Sequence, residues 1–490
     1  MFIDYLRMKK RIFTYLIIPV FLLMFSCSES KEGFEPPKPP GEGIDKARVW
    51  VTSGARNRLL SPGLDIAIFD GVETSFPAIS INFDDRLQEM EGFGAALTGS
   101  SAWLINRQLG ATQRTQLLSD LFHPDNGIGI SYLRLPMGAS DFSLGNYTYN
   151  DLPVGSTDPD QLLFSVDPDR ADIIPILKEI LAINPDIKIM GSPWSAPAWM
   201  KSNAALGGGS LKPEWYGAYA LYFVKFIRAY QNEGIRIDAI TVQNEPLHTT
   251  SGYPSMRMEA AEQNVFVRDH LGPLFEAEGI DAKIIIYDHN WDQPDYPIHI
   301  LNDPVTRNYV AGSAFHAYGG DVSAMSQVHA AHPDKGLYFT EISGGGWATD
   351  FSDNLNWKMS NIFIGTANNW SKNALLWNLA LDSDGGPKNG GCQDCRGVVT
   401  ILSNGGIEKN VEYYALGHMS KFVKPGARRV KSTAFASAER LESVAFLNPD
   451  GSKVLVVLNT GYASKTFSVK FNGHRLDYTL SERSVATIVW

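Results

Sequence analysis

Between residues 86 and about 410, short apolar runs alternate with longer segments in which apolar residues recur every three to four positions. The short runs read as buried strands ending near Phe93, Arg134, Trp194, Glu245, His289, Tyr318, Glu341 and Asn378. The longer ones, such as 171–181 and 215–230, read as amphipathic helices. Eight strands alternating with helices predict an eight-fold α/β barrel, (β/α)8. A doubly wound open sheet is the alternative, but no Gly-x-Gly-x-x-Gly opens a helix.

The two ends of the chain carry a different rhythm. Residues 48–52 and 78–83 alternate as strands do, and so do 453–458, 467–471 and 484–490. Asn448-Pro449-Asp450-Gly451 and Asn472-Gly473 mark turns between the later ones. We therefore expect one β-rich side domain, a sandwich built from both chain ends. In residue numbers this gives N-terminal strands over 46–85, a catalytic barrel over 86–410 and a C-terminal β domain over 411–490.

Ahead of these, residues 1–27 read as an export signal. Arg7, Lys9, Lys10 and Arg11 precede a mainly apolar stretch, 12–25, too short for a comfortable membrane span. The ending at Cys27 resembles a bacterial lipoprotein signal, although Met24 and Phe25 fit it imperfectly; a plain signal cleaved nearby is the alternative. On the lipoprotein reading Cys27 takes the lipid and anchors the protein to the outer membrane. Residues 28–45, with Pro36-Pro37-Lys38-Pro39-Pro40, form a semi-rigid tether.

Composition narrows the partners. The net charge of −10 argues against nucleic acid and anionic membrane surfaces, both of which select basic proteins. Three cysteines exclude a disulfide-rich scaffold and a four-cysteine zinc site. No metal or cofactor is expected. Eleven Trp and 19 Tyr supply flat faces of the kind that stack on sugar rings, though most belong to the core.

The chemistry gathers at strand ends. Asn244-Glu245-Pro246 closes the fourth strand; proline stops the ladder and biases the residue before it toward extended geometry. Glu341 ends the seventh strand and is followed by Ser343-Gly344-Gly345-Gly346, which leaves open space. Two carboxylates facing each other across a barrel mouth suit glycoside hydrolysis. Each alone has a plainer reading, a solvated loop acid for Glu245 and a rim salt bridge for Glu341. Arg134, Asp141, Trp194, His316, Tyr318, Trp377 and Asn378 share the same address.

Those residues carry a family resemblance. Glu91-Gly92-Phe93-Gly94, Asp141-Phe142-Ser143, Ser192-Pro193-Trp194-Ser195-Ala196-Pro197 and Asn244-Glu245-Pro246 occur in the order and spacing of glycoside hydrolase family 30, which contains glucosylceramidase. Trp377-Asn378-Leu379-Ala380-Leu381 and residues 416–422 extend the resemblance. It implies a retaining O-glycosyl hydrolase with Glu245 as acid/base and Glu341 as nucleophile. Asp141, Trp194, Asn244, His316, Tyr318 and Trp377 would line the glycone site, and Arg134 would support the carboxylates.

The pair Cys392 and Cys395 in a Gly-rich loop resembles the subfamily that cleaves β-1,6-glucan; whether the two cysteines form a disulfide is left open. The expected substrate is thus a β-glucan polysaccharide or oligosaccharide, and the expected activity endo-β-1,6-glucanase. A glucosylceramidase-like exo-β-glucosidase is the nearest alternative. A non-catalytic, glycan-binding surface lipoprotein is a remote one.

Overall fold

The computed structural model describes residues 45–490. The segments read as signal and tether, with Cys27, lie outside the described residues.

Eight parallel strands form one sheet: β1 (Gly92–Ala96), β2 (Tyr132–Met137), β3 (Lys188–Pro193), β4 (Ala239–Thr241), β5 (Lys283–Asn290), β6 (Val310–His316), β7 (Gly336–Glu341) and β8 (Asn373–Leu376). Neighbours in sequence are neighbours in space, β8 returns to β1, and a parallel bridge from Leu337 to Ser371 joins β7 to the start of β8. The sheet therefore closes as a (β/α)8 barrel. Helices Ile173–Ile183 and Tyr216–Asn232 cover it where the helical period placed them.

Inside the barrel, composition changes along the axis. One layer is apolar: Tyr132, Met190, Ala239, Ile285, Ala314, Tyr338 and Leu375 pack together, fully buried. Side chains two positions further along a strand share a face, and there the residues become Arg134, Ser192, Thr241, His316, Thr340 and Trp377, all buried. A polar layer thus sits on an apolar floor at the strands' C-terminal ends.

The second domain is a ten-stranded antiparallel assembly with one parallel pairing. Asp45–Ser53 lies against the last strand, Ser484–Val489, with Trp50 opposite Thr487, and also against Ile66–Asp70, which closes the sandwich. The strand Ala78–Glu89 runs directly into the barrel through Met90 and Glu91. Helix Val411–Ser420 joins the two domains. His418 bonds Thr52 and Thr487 of the sandwich, and Ser420 bonds the Ile128 carbonyl beside the barrel.

Two sequence expectations are corrected. The fourth strand is shorter than the buried run suggests, ending at Thr241 rather than near Glu245. Glu245 is not extended: its φ is +45° despite the following proline. From Val242 onward the backbone bonds alternate between neighbours. Asn244 N–H donates to the Pro193 carbonyl and Glu245 N–H to the Asp288 carbonyl. The left-handed turn bends the Glu245 carboxylate back over the barrel mouth.

Candidate active site

Arg134 is the hub. Its side chain is fully buried, and its Nη1 donates to Glu341 Oε2 at 2.5 Å. Nη2 donates to Asp288 Oδ2 (2.7 Å), Asn244 Oδ1 (2.7 Å) and Ser192 Oγ (3.1 Å). The guanidinium lies 5.0 Å from the Trp194 ring centre and 5.5 Å from that of Trp377, and these two indoles stack on each other. A permanently charged, planar group on strand β2 thus fixes residues from β3, β5, β7 and the turn after β4 in one place.

Asp288 is the residue that sequence reading missed. It accepts from Arg134, from Thr241 (2.7 Å), Ser192 (2.8 Å) and Thr340 (2.6 Å), and from His316 Nε2 at 3.0 Å. Burial pushes its carboxyl up, but the charges of Arg134 and His316 carry it well below the usual range. Its position comes from a β-bulge: Ala314 pairs with Tyr287 and Phe315 with His289, so Asp288 is the extra residue. Thr340 is the extra residue of a second register shift, between β6 and β7. Bulges re-aim side chains beside functional sites, and strict alternation could not place either residue. The available signal was a lone acid at the end of the apolar run Ile284-Ile285-Ile286-Tyr287, because a buried charge needs partners.

His316 stands between the acids. Nε2 faces Asp288, while Nδ1 lies 3.2 Å from Glu245 Oε1 and 3.9 Å from Glu341 Oε1. Burial pushes the imidazole down, yet the charges of Glu341 and Asp288, with bonds to Asp288 and Glu245, raise it to about 9. Glu245 feels the reciprocal effect: burial raises it, and the His316 bond and charge hold it below its usual value. These are two descriptions of one proton on the His316–Glu245 bond. Burial raises Glu341, against the pull of His316 and Arg134 and with the Glu245 charge adding to the rise.

The other expected residues surround this network. Tyr318 donates its hydroxyl to Glu341 Oε1 at 3.0 Å. Asn244 spends its carbonyl on Arg134, and Trp377 Nε1, buried, has no protein partner among the described residues. Asp141 keeps slight exposure at the mouth but is enclosed enough that burial, then the charges of Glu341 and Glu245, push its carboxyl up. A side chain at Gly391 would meet Asp141 (2.4 Å from its Cβ), so the Gly-rich loop closes over this acid. In that loop Cys392 and Cys395 are joined as a disulfide.

Glu245, His316 and Glu341 bring one ligand atom each within 4.8 Å of one another.

Comparison with known proteins finds a family model over each of the two domains. The glycosyl hydrolase family 30 TIM-barrel model matches residues 90–423, and the family 30 β-sandwich model matches residues 426–488. The endo-1,6-β-D-glucanase neg1 of Aspergillus fumigatus is 36% identical over 402 residues, which is 76% of this chain and 79% of the relative. The endo-1,6-β-D-glucanase BGN16.3 of Trichoderma harzianum is 34% identical over 397 residues, 76% of this chain and 78% of the relative. Among solved structures, the endo-β1,6-glucanase BT3312 superposes with a TM-score of 0.84 at 37% identity, covering 91% of this chain and 99% of that one.

Proposed function

The chain belongs to glycosyl hydrolase family 30, and from that premise we propose that it is a retaining endo-β-1,6-glucanase using Glu341 as nucleophile and Glu245 as acid/base. The observation that supports this most is the close pairing of the two acids. Each brings an oxygen within 4.8 Å of the other, whereas inverting enzymes hold their carboxyl groups about 6.5–9.5 Å apart to admit a water. The relatives named as endo-1,6-β-glucanases support the linkage.

Glu341 attacks the anomeric carbon as the glycosidic oxygen leaves, and Glu245 gives that oxygen its proton. The proton need only move along the 3.2 Å His316–Glu245 bond, from imidazolium to carboxylate, to arm the acid. Arg134 and the Tyr318 hydroxyl stay on Glu341 and favour its ionised form during attack. Once the ester forms, the charge of Glu341 is gone. Glu245, left as a carboxylate, takes a proton from the incoming water and passes it back along the His316 bond, while that water's oxygen displaces Glu341 with the original configuration restored. Asn244, whose amide N–H2 has no protein acceptor among the described residues, is placed to hold the 2-hydroxyl.

Export and a lipid anchor at Cys27 complete the proposal. No helix among the described residues is long and apolar enough to cross a membrane. Incorporation of labelled fatty acid in a bacterial host, lost in Cys27→Ala, tests the anchor. For the activity, purified protein is given β-1,6-glucan and a panel of other β-glucans. Oligosaccharides from the β-1,6-linked polymer are expected; monosaccharide released from aryl-glucosides alone would refute the endo-glucanase reading.

A further inference from the structure

Next to the paired acids is a second cavity, of about 450 Å³, a size in the range of about 300–1,000 Å³ typical of small-molecule clefts. Tyr318 belongs to both spaces: its hydroxyl is on Glu341, while its ring lines the cavity and is 46% exposed. Trp347 and Trp357 line it too, 56% and 42% exposed. Three flat rings left in water in one cleft mark a binding surface, since isolated exposed aromatics would not collect there.

Polar chemistry in the cavity points to a neutral ligand. Ser343, two residues beyond Glu341, lines it and is 5% exposed, and its Oγ has no protein partner among the described residues. Buried hydroxyls are almost always paired, with protein or with water, so this one is open to a hydroxyl, an amide or a water from outside the protein. The charged groups lining the cavity are already matched. Lys358 lies 3.3 Å from Glu412, and Asp353 is bonded by Arg483. Among the described residues lining the cavity, a carboxylate or phosphate would find no free cation.

The aromatic platform is also built to stay in place. Gly344 and Gly345 pair with Arg396 and Cys395 in a short antiparallel ladder, and Gly346 N–H donates to the Asp394 carbonyl at 2.8 Å. A Cβ at Gly345 would sit 2.1 Å from Trp347 Cζ3, so only glycine lets the indole fold over the backbone. The disulfide loop therefore holds Trp347 on one side and closes over Asp141 on the other.

We propose that this cavity is a second sugar subsite. It takes the unit of a neutral glucan chain joined to the one held between Glu245 and Glu341. Trp347 and Trp357 stack on its ring and Ser343 bonds one of its hydroxyls. The inference rests on the glucan-hydrolase reading above and goes further by naming residues that select a chain over a single sugar.

The test compares two substrates in Trp347→Ala, Trp357→Ala and the parent. β-Glucosyl fluoride, whose leaving group is one atom, needs no second subsite; a β-1,6-linked glucotetraose does. Trp347→Ala is expected to lower kcat/KM on the tetraose roughly tenfold or more, the scale of a lost aromatic contact, and to leave the fluoride within twofold. Trp347→Phe should recover most of the loss. Equal losses on both substrates, or no loss on the tetraose, would overturn the subsite. Binding of the tetraose to Glu341→Gln protein is measured with and without Trp347→Ala, so that the subsite is read even without turnover. Unchanged affinity there overturns the subsite, whereas a parent that hydrolyses neither substrate overturns the activity instead.

Discussion

At the N-terminal ends of the barrel strands, one acid is surrounded by cations; at the C-terminal ends, two cations are surrounded by acids. Below, Glu91 faces Lys283 at 2.6 Å, Lys372 at 3.0 Å and Lys188 at 3.7 Å, with the Tyr338 hydroxyl at 3.0 Å. Above, Arg134 and His316 hold together Asp288, Glu245 and Glu341. The three lysines are partly exposed, so their excess charge stays hydrated, and Glu91 is driven one way. Burial pushes its carboxyl up, but Lys372 and Lys283 bring it down to about 2. The upper cations are wholly buried and outnumbered, so a proton must be shared.

The ends also differ in what is left unfinished. Among the described residues, Arg134 Nε, Gln243 Oε1, His289 Nδ1, Trp377 Nε1 and Asn378 Nδ2 around the upper network lack protein partners, and near Glu91 the Tyr132 hydroxyl and Asn373 Nδ2 do. Glu245, Tyr287, Asp288 and Asn378, all at the upper ends, hold positive φ. Such backbone costs about 1–3 kcal/mol each. Satisfied charge gives stability; shared protons, open polar atoms and strain are what a reaction uses.

That contrast can be broken from either end. The largest effect is expected above: Glu341→Ala should lower glucan hydrolysis roughly 10⁴-fold or more while the protein stays folded by circular dichroism. Parent-like turnover would remove the mechanism. Below, Glu91→Ala strips the partner from three lysines and should cost about 3–5 kcal/mol in denaturant unfolding, with kcat/KM of the folded fraction within twofold. An activity loss as large as the stability loss would show that the two ends are not separate.

The pH dependence sharpens the lower end further. Glu91 has its pKa lowered from 4.5 to about 2 by folding. Its contribution, about 3 kcal/mol, is therefore present above pH 4.5 and is lost as pH falls toward 2. Unfolding curves of Glu91→Gln should show a shallower acid loss than the parent over that window; parallel curves would place the acid sensitivity elsewhere.

Asp288→Asn probes the shared proton. Removing this anion disfavours the protonated His316–Glu245 pair, so the alkaline limb of the rate profile should move to lower pH. We expect kcat to fall roughly 10²-fold as well, since Arg134 and His316 lose their common anchor. An unmoved alkaline limb would separate Asp288 from the proton. The smallest effect belongs to Tyr318→Phe, which removes one bond to a carboxylate, worth about 1.5–3 kcal/mol. A loss of roughly 10- to 100-fold in kcat/KM is expected.

Much of this layout was legible in the amino-acid order. Period-2 and period-3.6 stretches gave the barrel and the two-ended sandwich, because both depend on which face is buried. Glu245 and Glu341 stood out because a proline and a glycine run ended their strands. Asp288 and Thr340 did not, because a bulge shifts the register that alternation relies on. Glu91 read as part of a glycine motif, and its three lysines are 97, 192 and 281 residues away in the chain. The bend at Glu245 ran against the rule for residues before proline, for which the Asp288 carbonyl supplies the reason. Trp347 had no pattern to mark it; only its exposure beside the mouth does.

In the proposed reaction Glu341 becomes covalently glycosylated while Glu245 handles the proton. Incubation with 2-deoxy-2-fluoro-β-glucosyl fluoride slows turnover of the glycosyl-enzyme, and peptide mass mapping then locates the label. A single fluoroglucosyl adduct on Glu341, which ends strand β7, is expected. An adduct on Glu245 or Asp288, or inactivation with no adduct, would contradict the proposed reaction.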